Sequence, residues 1–446
     1  MSSEQDSPQR FKLWRSIGPA IITASVVLGP GSILAASKIG YQHGYAMAWM
    51  LLLAIVMMIG MTALSARLGV VLDGTLCSEL ARRAGRWAAV ITGVSLFLIA
   101  ACFQFGNNLG VIAAIEPFLP AEPTADGNDL PAVKWVATGL IVLLNWLIIV
   151  ALFGFRKLYQ PVERLMKVLV FLMIVGFAGN LVMARPDLLT VLMGFVPQLP
   201  EGATETPLPK VVDGKIVDSL TPLIAMFVTT FSVGGAFYQS YLVRKKGWTR
   251  DNLREGLVDS TVGICILGLV TLMIMVTAAT VLHDNPNVSE PKSAAEVAQQ
   301  LEPLFGPAAK VLFCLGIFAG AFSSFLVNAM IGGTILSDGL GLGGDIDQPW
   351  PKHFTVLTLL VGMGVAVTVQ STGESPVNLI IFAQAMTVLG LPALAATMCY
   401  LATRKDLTGD RRIPLWLKLV AVLALVIVTL LALRTGVRLW LTMTLA

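Results

Sequence analysis

The sequence predicts an all-α integral membrane protein, and three observations carry that expectation. Hydrophobic residues make up 56% of the 446 residues, charged residues only 13%, and the mean hydropathy is +0.78, far from the composition of a water-soluble domain. Apolar stretches of about 20 residues, the length that crosses a bilayer as a helix, begin near residues 17, 45, 88, 132, 160, 219, 257, 306, 354, 375 and 414, eleven in all. Lys and Arg gather in alternate connections between those stretches.

Taken in order, residues 1–16 (MSSEQDSPQRFKLWRS) form a polar tail. The first apolar stretch is too long and wrongly flanked for a cleaved signal peptide, so it is expected to remain as a helix. Residues 17–184 hold five spans, 185–218 an extracellular connection, 219–401 five more spans, and 402–446 a cytoplasmic loop and an eleventh helix. Placing the N-terminus in the cytoplasm puts 22 of the 31 Lys and Arg residues on that side, as the positive-inside rule requires. The opposite loops are acidic, as in EPFLPAEPTADGNDLP and HDNPNVSEPKSAAE. An odd number of spans then leaves the C-terminus outside, in a plasma membrane, with a bacterial inner membrane as the expected setting. The formal net charge of +4 is an orientation signal, and nucleic-acid binding is not needed to explain it. No obligate protein partner is evident; the expected partners are the lipid bilayer and a small substrate.

Soluble-enzyme chemistry has little to work with. Cys77, Cys102, Cys265, Cys314 and Cys399 show no metal-ligand spacing. His43, His283 and His353 fall in loops or at span ends, so no mid-membrane imidazole is available for metal binding or proton relay. No catalytic residue is expected, because a hydrolase would need a nucleophile beside a base. The sequon at Asn287 reads as a chance occurrence.

The first span contains Gly29-Pro30-Gly31 (VVLGPGSILA), which removes a backbone donor and weakens the helix locally. Lipid cannot satisfy the freed groups, so they must face protein, water or a substrate. The sixth span contains a second weak point, Ser232-Val233-Gly234-Gly235. Breaks in the first member of each five-helix half point to an inverted-repeat secondary transporter with its site at the breaks. Two unrelated kinks would leave the same trace.

Several stretches resemble the Nramp (natural resistance-associated macrophage protein) family: GPAIITASVVLGPGS leading to YQHGY, ARLGVVLDGTLCSELARRAGR, YQSYLVRKKGWTRDNLREGLVDS, AGAFSSFLVNAMIGG and FAQAMTVLGLPALA. The resemblance implies a leucine-transporter-like fold with helices 1 and 6 broken. It covers most of the chain but departs at the hallmark positions. Where metal-transporting members carry Asp-Pro-Gly-Asn, this chain has Gly29-Pro30-Gly31-Ser32, and their Met-Pro-His falls on Ser232, Val233 and Gly234. Their acidic pair of span 3, implied in proton coupling, falls on Gln104 and Asn107; the glutamine of span 10 is kept as Gln384. The chain thus resembles a divergent branch without the metal motifs, like prokaryotic Nramp-related bicarbonate transporters.

With no Asp, Glu or His near mid-span, a transition-metal site is not expected. The second halves of helices 1 and 6 would instead aim free amides at the centre, where helix N-termini favour anions. The expected binding set is Gly29, Gly31, Ser32, Ser232, Gly234, Gly235, Ala236 and Gln384; tight helix packing is the other reading of Gly234-Gly235. Ser323 and Ser324 match a serine pair that completes sodium sites in the wider fold, unless they serve close helix contact. Gln104, Asn107, Asn108, Tyr238, Gln239 and Asn328 complete the polar candidates, with interhelical hydrogen bonding as the alternative. The functional expectation is a secondary transporter of a small anion, bicarbonate first, coupled to sodium and with no other cofactor. The alternatives are an amino acid or small carboxylate, or a divalent cation such as magnesium held by neutral oxygens.

Overall fold

A computed structural model describes residues 28–118, 131–154, 159–198, 208–212, 215–218, 220–251, 253–286, 288–291, 294–372 and 376–445. Its helices are α1 (Pro30–His43), α2 (Ala48–Val71), α3 (Leu76–Ala84), α4 (Arg86–Ile115), α5 (Pro131–Gly154), α6 (Tyr159–Ala184), α7 (Leu188–Met193), α8 (Thr221–Thr230), α9 (Val233–Lys246), α10 (Leu253–Val281), α11 (Ala294–Phe305), α12 (Pro307–Leu340), α13 (Pro349–Thr372), α14 (Pro376–Ala402) and α15 (Leu415–Leu445). Among the described residues, nine helical stretches are long and apolar enough to cross a membrane. They coincide with the expected spans 2–9 and 11. α14 stands where the tenth is expected, and α1 is the second half of the first. The first half of span 1, Asn287 and the side chain of Gln384 lie outside the described residues.

The helices sort into two groups by what they touch. α1, α2, α8, α9 and α10 pack on one another, while α4, α12, α6, α13, α5 and α14 form a second set built around the long α4–α12 contact. Contact across the seam is thinner. Small residues set the closest approaches. A Cβ at Gly110 of α4 would lie 1.8 Å from Pro30 Cγ, and one at Gly69 of α2 would lie 2.7 Å from the Ser240 carbonyl oxygen of α9. Because lipid offers no hydrophobic drive between helices, such close backbone contact is what holds them together.

Charged groups collect at the two ends. At one end Glu79 receives Arg82 at 2.6 Å and Arg83 at 2.8 Å, Arg83 also reaches Asp406, and Asp73 receives Arg411 at 2.7 Å. Arg244 donates to the carbonyls of Leu72 and Asp73, both at 2.9 Å. The hydrogen bond from Arg83 holds Asp406 down at about 2, and Arg411 likewise lowers Asp73. An unfolded aspartate titrates near ~3.9, so this clasp is fully present above that value and is lost only as pH falls through about 2. At the other end Lys38 meets Glu290 at 3.3 Å and Lys310 meets Glu302 at 2.9 Å. The loops around Arg67–Arg86, Arg244 and Arg404–Arg412 thus share one end, as the alternation of basic loops predicts.

The stretch expected to be an extracellular connection, residues 185–218, holds regular structure among its described residues. It contains α7, capped by Asp187, and an antiparallel hairpin pairing Lys210–Val212 with Lys215–Val217. α3 and α11 are further short helices outside the spans, too short to register as apolar stretches.

Candidate functional site

At the first break Pro30 opens α1, where its missing amide costs nothing and its fixed φ suits the first turn. Gly29 is extended, with φ −114° and ψ 176°, so its glycine is used for space. A Cβ there would lie 3.2 Å from Asn107 Oδ1 and 3.3 Å from Ser324 Oγ. Ser32 turns back onto the break: its Oγ donates to the Gly29 carbonyl at 2.8 Å and accepts the Gly29 amide at 2.9 Å. Ser324 of α12 donates to the Leu28 carbonyl at 2.9 Å.

At the second break α8 ends at Thr230 and α9 restarts at Val233. Ser232 is the N-cap: its Oγ accepts the Gly235 amide at 3.3 Å and its carbonyl accepts the Ala236 amide at 2.9 Å. At the end of α8 the Phe231 amide still reaches the Phe227 carbonyl at 2.7 Å, and the negative end of the α8 dipole lies at the break.

Part of the expected amide set is engaged within the helices themselves. Two of the named amides, Gly235 and Ala236, are spent inside the helix cap, and the Ser32 hydroxyl is spent on Gly29. Each hydroxyl whose donor direction is set gives its hydrogen to a backbone carbonyl: Ser32 to Gly29, Ser324 to Leu28, and Thr229 to Ala225 at 2.8 Å. A hydroxyl so committed offers lone pairs, which suit a cation or the hydrogens of its water.

Cavities follow one another along the seam. The first, about 70 Å³, is lined by Gly29, Gly31, Ser32, Asn107, Ser324 and Asn328 among the expected residues, and by Thr229 and Thr387. The second, about 20 Å³, takes Ser232, Gly234 and Gly235 and shares Asn328 and Thr387 with the first. The third, about 420 Å³, lies toward the end that holds Arg244 and Asp345 and is lined by Tyr238, Tyr241 and Thr334. No described residue lining the first two cavities is an acid, a lysine, an arginine or a histidine. Asn107 is 1% exposed and its Nδ2 has no hydrogen-bond partner.

The other expected residues lie elsewhere. Gln104 is buried against Gly362 of α13, and both polar atoms of its side chain are unpartnered. Asn108 donates to the Gln104 carbonyl and accepts Asn145 Nδ2, both at 2.8 Å. Gln239 donates to Ser260 at 3.2 Å, and Ser323 to the Gly320 carbonyl at 3.0 Å. Ser324 reaches the break through the Leu28 carbonyl, and Ser323 reaches back within its own helix. Tyr238 stacks on Tyr241, ring centroids 6.0 Å apart.

Sequence reasoning passed over Thr229, Thr387 and Asp338. The two threonines read as ordinary helix formers; their signal was position, one just before a break and one a turn beyond Gln384. Asp338, 4% exposed, accepts the Tyr241 hydroxyl at 2.6 Å near the C-terminal end of α12.

Comparison with known proteins bears on what this site handles. The chain is 28% identical over 397 residues to the divalent metal cation transporter MntH of Deinococcus radiodurans, covering 88% of this chain and 83% of the relative. It is 24% identical over 412 residues to the divalent metal cation transporter MntH of Aeromonas hydrophila, covering 91% and 90%. Its fold matches the crystal structure of the Eremococcus coleocola manganese transporter in complex with an aromatic bis-isothiourea substituted compound, with a TM-score of 0.74, 18% identity and coverage of 96% of this chain and 87% of that one. These relatives overturn the expectation of bicarbonate or another small anion as substrate and partner. The match to the family described as natural resistance-associated macrophage protein-like runs over residues 20–438. The chain therefore belongs to that family of multi-pass membrane transporters.

Proposed function

We propose that this protein is a secondary transporter of a hard divalent cation, with magnesium as the type, which enters the site still carrying part of its water. The observation that carries the reading is the oxygen set at the first break. Asn107, Ser324, Ser32 and Thr229 line one cavity, and its three donor-assigned hydroxyls send their hydrogens to backbone carbonyls. Beside the Cys102 sulfur that also lines the cavity, hydroxyl and carboxamide oxygens predominate, and oxygen donors suit magnesium and manganese better than softer metals. Magnesium gives up water reluctantly and is often held with several waters in place. The cavity of about 70 Å³ is several times the minimum of about 10–15 Å³ that holds one water, which leaves room for an ion with part of its shell. The relatives named as divalent metal cation transporters support the charge and valence of the cargo.

In this proposal, residues 17–184 and 219–401 are inverted repeats. The group containing α1, α8 and α9 rocks against the group built on α4 and α12, exposing the seam to either side in turn. The end rich in Arg82, Arg83 and Arg411 is cytoplasmic, in a bacterial inner membrane, with the N-terminus inside and the C-terminus outside; the positive-inside rule supports that sense.

Calorimetry on the purified protein tests the cargo. Magnesium and manganese should bind saturably, zinc and cadmium more weakly, and Asn107→Leu should weaken magnesium binding about tenfold, the loss of roughly one hydrogen-bonding oxygen. Absence of saturable binding by either hard cation would remove the reading. Repeating the titration with and without sodium tests the role first expected of Ser323 and Ser324.

A further inference from the structure

The first and second cavities meet at four residues that line both: Phe103 of α4, Val228 of α8, Asn328 of α12 and Thr387 of α14. We infer that this neck sets which divalent cation passes, by forcing the ion to exchange water for the oxygens of Asn328 and Thr387. The inference rests on the cation reading of the same site.

The change in free volume is the first argument. The cavity on one side of the neck is about 70 Å³ and on the other about 20 Å³. An ion moving from one to the other enters a space less than about a third as large, one close to the minimum that holds a single water. Most of a retained shell must be left behind. Further along α9 and α12 lies a separate cavity of about 420 Å³, lined by Tyr238 and Thr334. The order is fixed by the helices. Along α12 the lining passes from Ser324 and Asn328 to Ile331 and then Thr334, and across α8 and α9 it passes from Thr229 to Ser232 and then Tyr238.

The chemistry of the four residues is the second argument. Phe103 and Val228 are walls that replace no water. Asn328 is 4% exposed, projects into both cavities, and makes no hydrogen bond to any described residue. A buried carboxamide left open in a membrane is expensive unless something visits it. Thr387 is 5% exposed and lines the same two spaces. Two neutral oxygens facing two apolar walls replace only part of a shell, so the barrier rises with the strength of ion hydration. The neck therefore discriminates among ions of equal charge, which the neutral first cavity does less sharply.

The test uses the full-length protein in sealed liposomes and reads initial uptake of magnesium and of manganese separately. Asn328→Leu and Thr387→Val keep volume while removing oxygen, and Val228→Ala widens the neck. In the oxygen-deleted variants magnesium uptake should fall at least tenfold more than manganese uptake, because magnesium holds its water more tightly. Val228→Ala should move the ratio of the two rates toward one. Thermal unfolding of each variant at the parent temperature separates a neck effect from misfolding. If the parent carries both ions and all three variants keep the parent ratio, the neck is overturned while the cargo assignment stands. If the parent carries neither ion, the cargo assignment falls and the neck falls with it.

Discussion

At the scale of single residues, Gly29 decides between the two signs of charge. Metal-transporting members of the family place an aspartate there, and in this chain the position is walled by Asn107 Oδ1 and Ser324 Oγ at 3.2 and 3.3 Å from a notional Cβ. A side chain fits only if those neighbours give by a few tenths of an ångström, so Gly29→Ala is the steric control. Gly29→Asp should tighten magnesium and manganese binding at least tenfold relative to Gly29→Ala. An added carboxylate about 4 Å from a unit positive charge is worth roughly 4 kcal/mol at an effective dielectric of about 20, of which desolvation and crowding cancel part. Weaker cation binding in the aspartate variant than in the alanine control would contradict the account. The positions were legible in the sequence: Gly29, Ser32, Asn107, Ser324 and Asn328 do meet in one cavity. Their charge preference was not, because the loss of an aspartate reads equally as a change of cargo or as a cation held with its water. What separates the two is where Ser32 and Ser324 send their hydrogens, a matter of rotamer and neighbour.

At the scale of elements, both breaks were readable as runs of residues that cannot hold a helix. Gly29-Pro30-Gly31 gives a helix starting at Pro30, and Ser232-Val233-Gly234-Gly235 gives one restarting at Val233. Which backbone groups stay open afterwards was not readable. Ser232 takes up the Gly235 and Ala236 amides, so fewer of the α9 amides face the second break than the sequence suggests. Ser232→Ala removes that cap and should cost about 1 kcal/mol, within the range for N-cap deletions. Ser232→Asn should restore most of it, since Asn is at least as good a cap. Denaturant titration in detergent micelles measures both, and equal stability of parent and alanine variant would show that the cap is not what holds the break. Span recognition failed only where length misled it: α3, α7, α11 and the hairpin within residues 185–218 are too short or too polar to register.

At the scale of the whole molecule, the two helix groups meet along a seam lined with neutral oxygens, and ionised clasps gather at one end of the molecule. Asp406 and Asp73 are held below the ordinary carboxylate range by Arg83 and Arg411, so those clasps persist throughout the pH range in which transport is measured. The seam itself presents no described acid, lysine, arginine or histidine in its first two cavities. Substrate binding there is expected to respond to hydration and ionic radius rather than to protonation. The most direct measurement is magnesium entry into sealed liposomes containing the purified protein, read by an entrapped magnesium indicator at pH 5.5 and at pH 8, with bicarbonate uptake followed in parallel vesicles. The account predicts saturable magnesium entry that differs by less than about twofold between the two pH values, a barrier difference of about 0.4 kcal/mol, and no saturable bicarbonate entry. Bicarbonate uptake without any divalent cation uptake would contradict it.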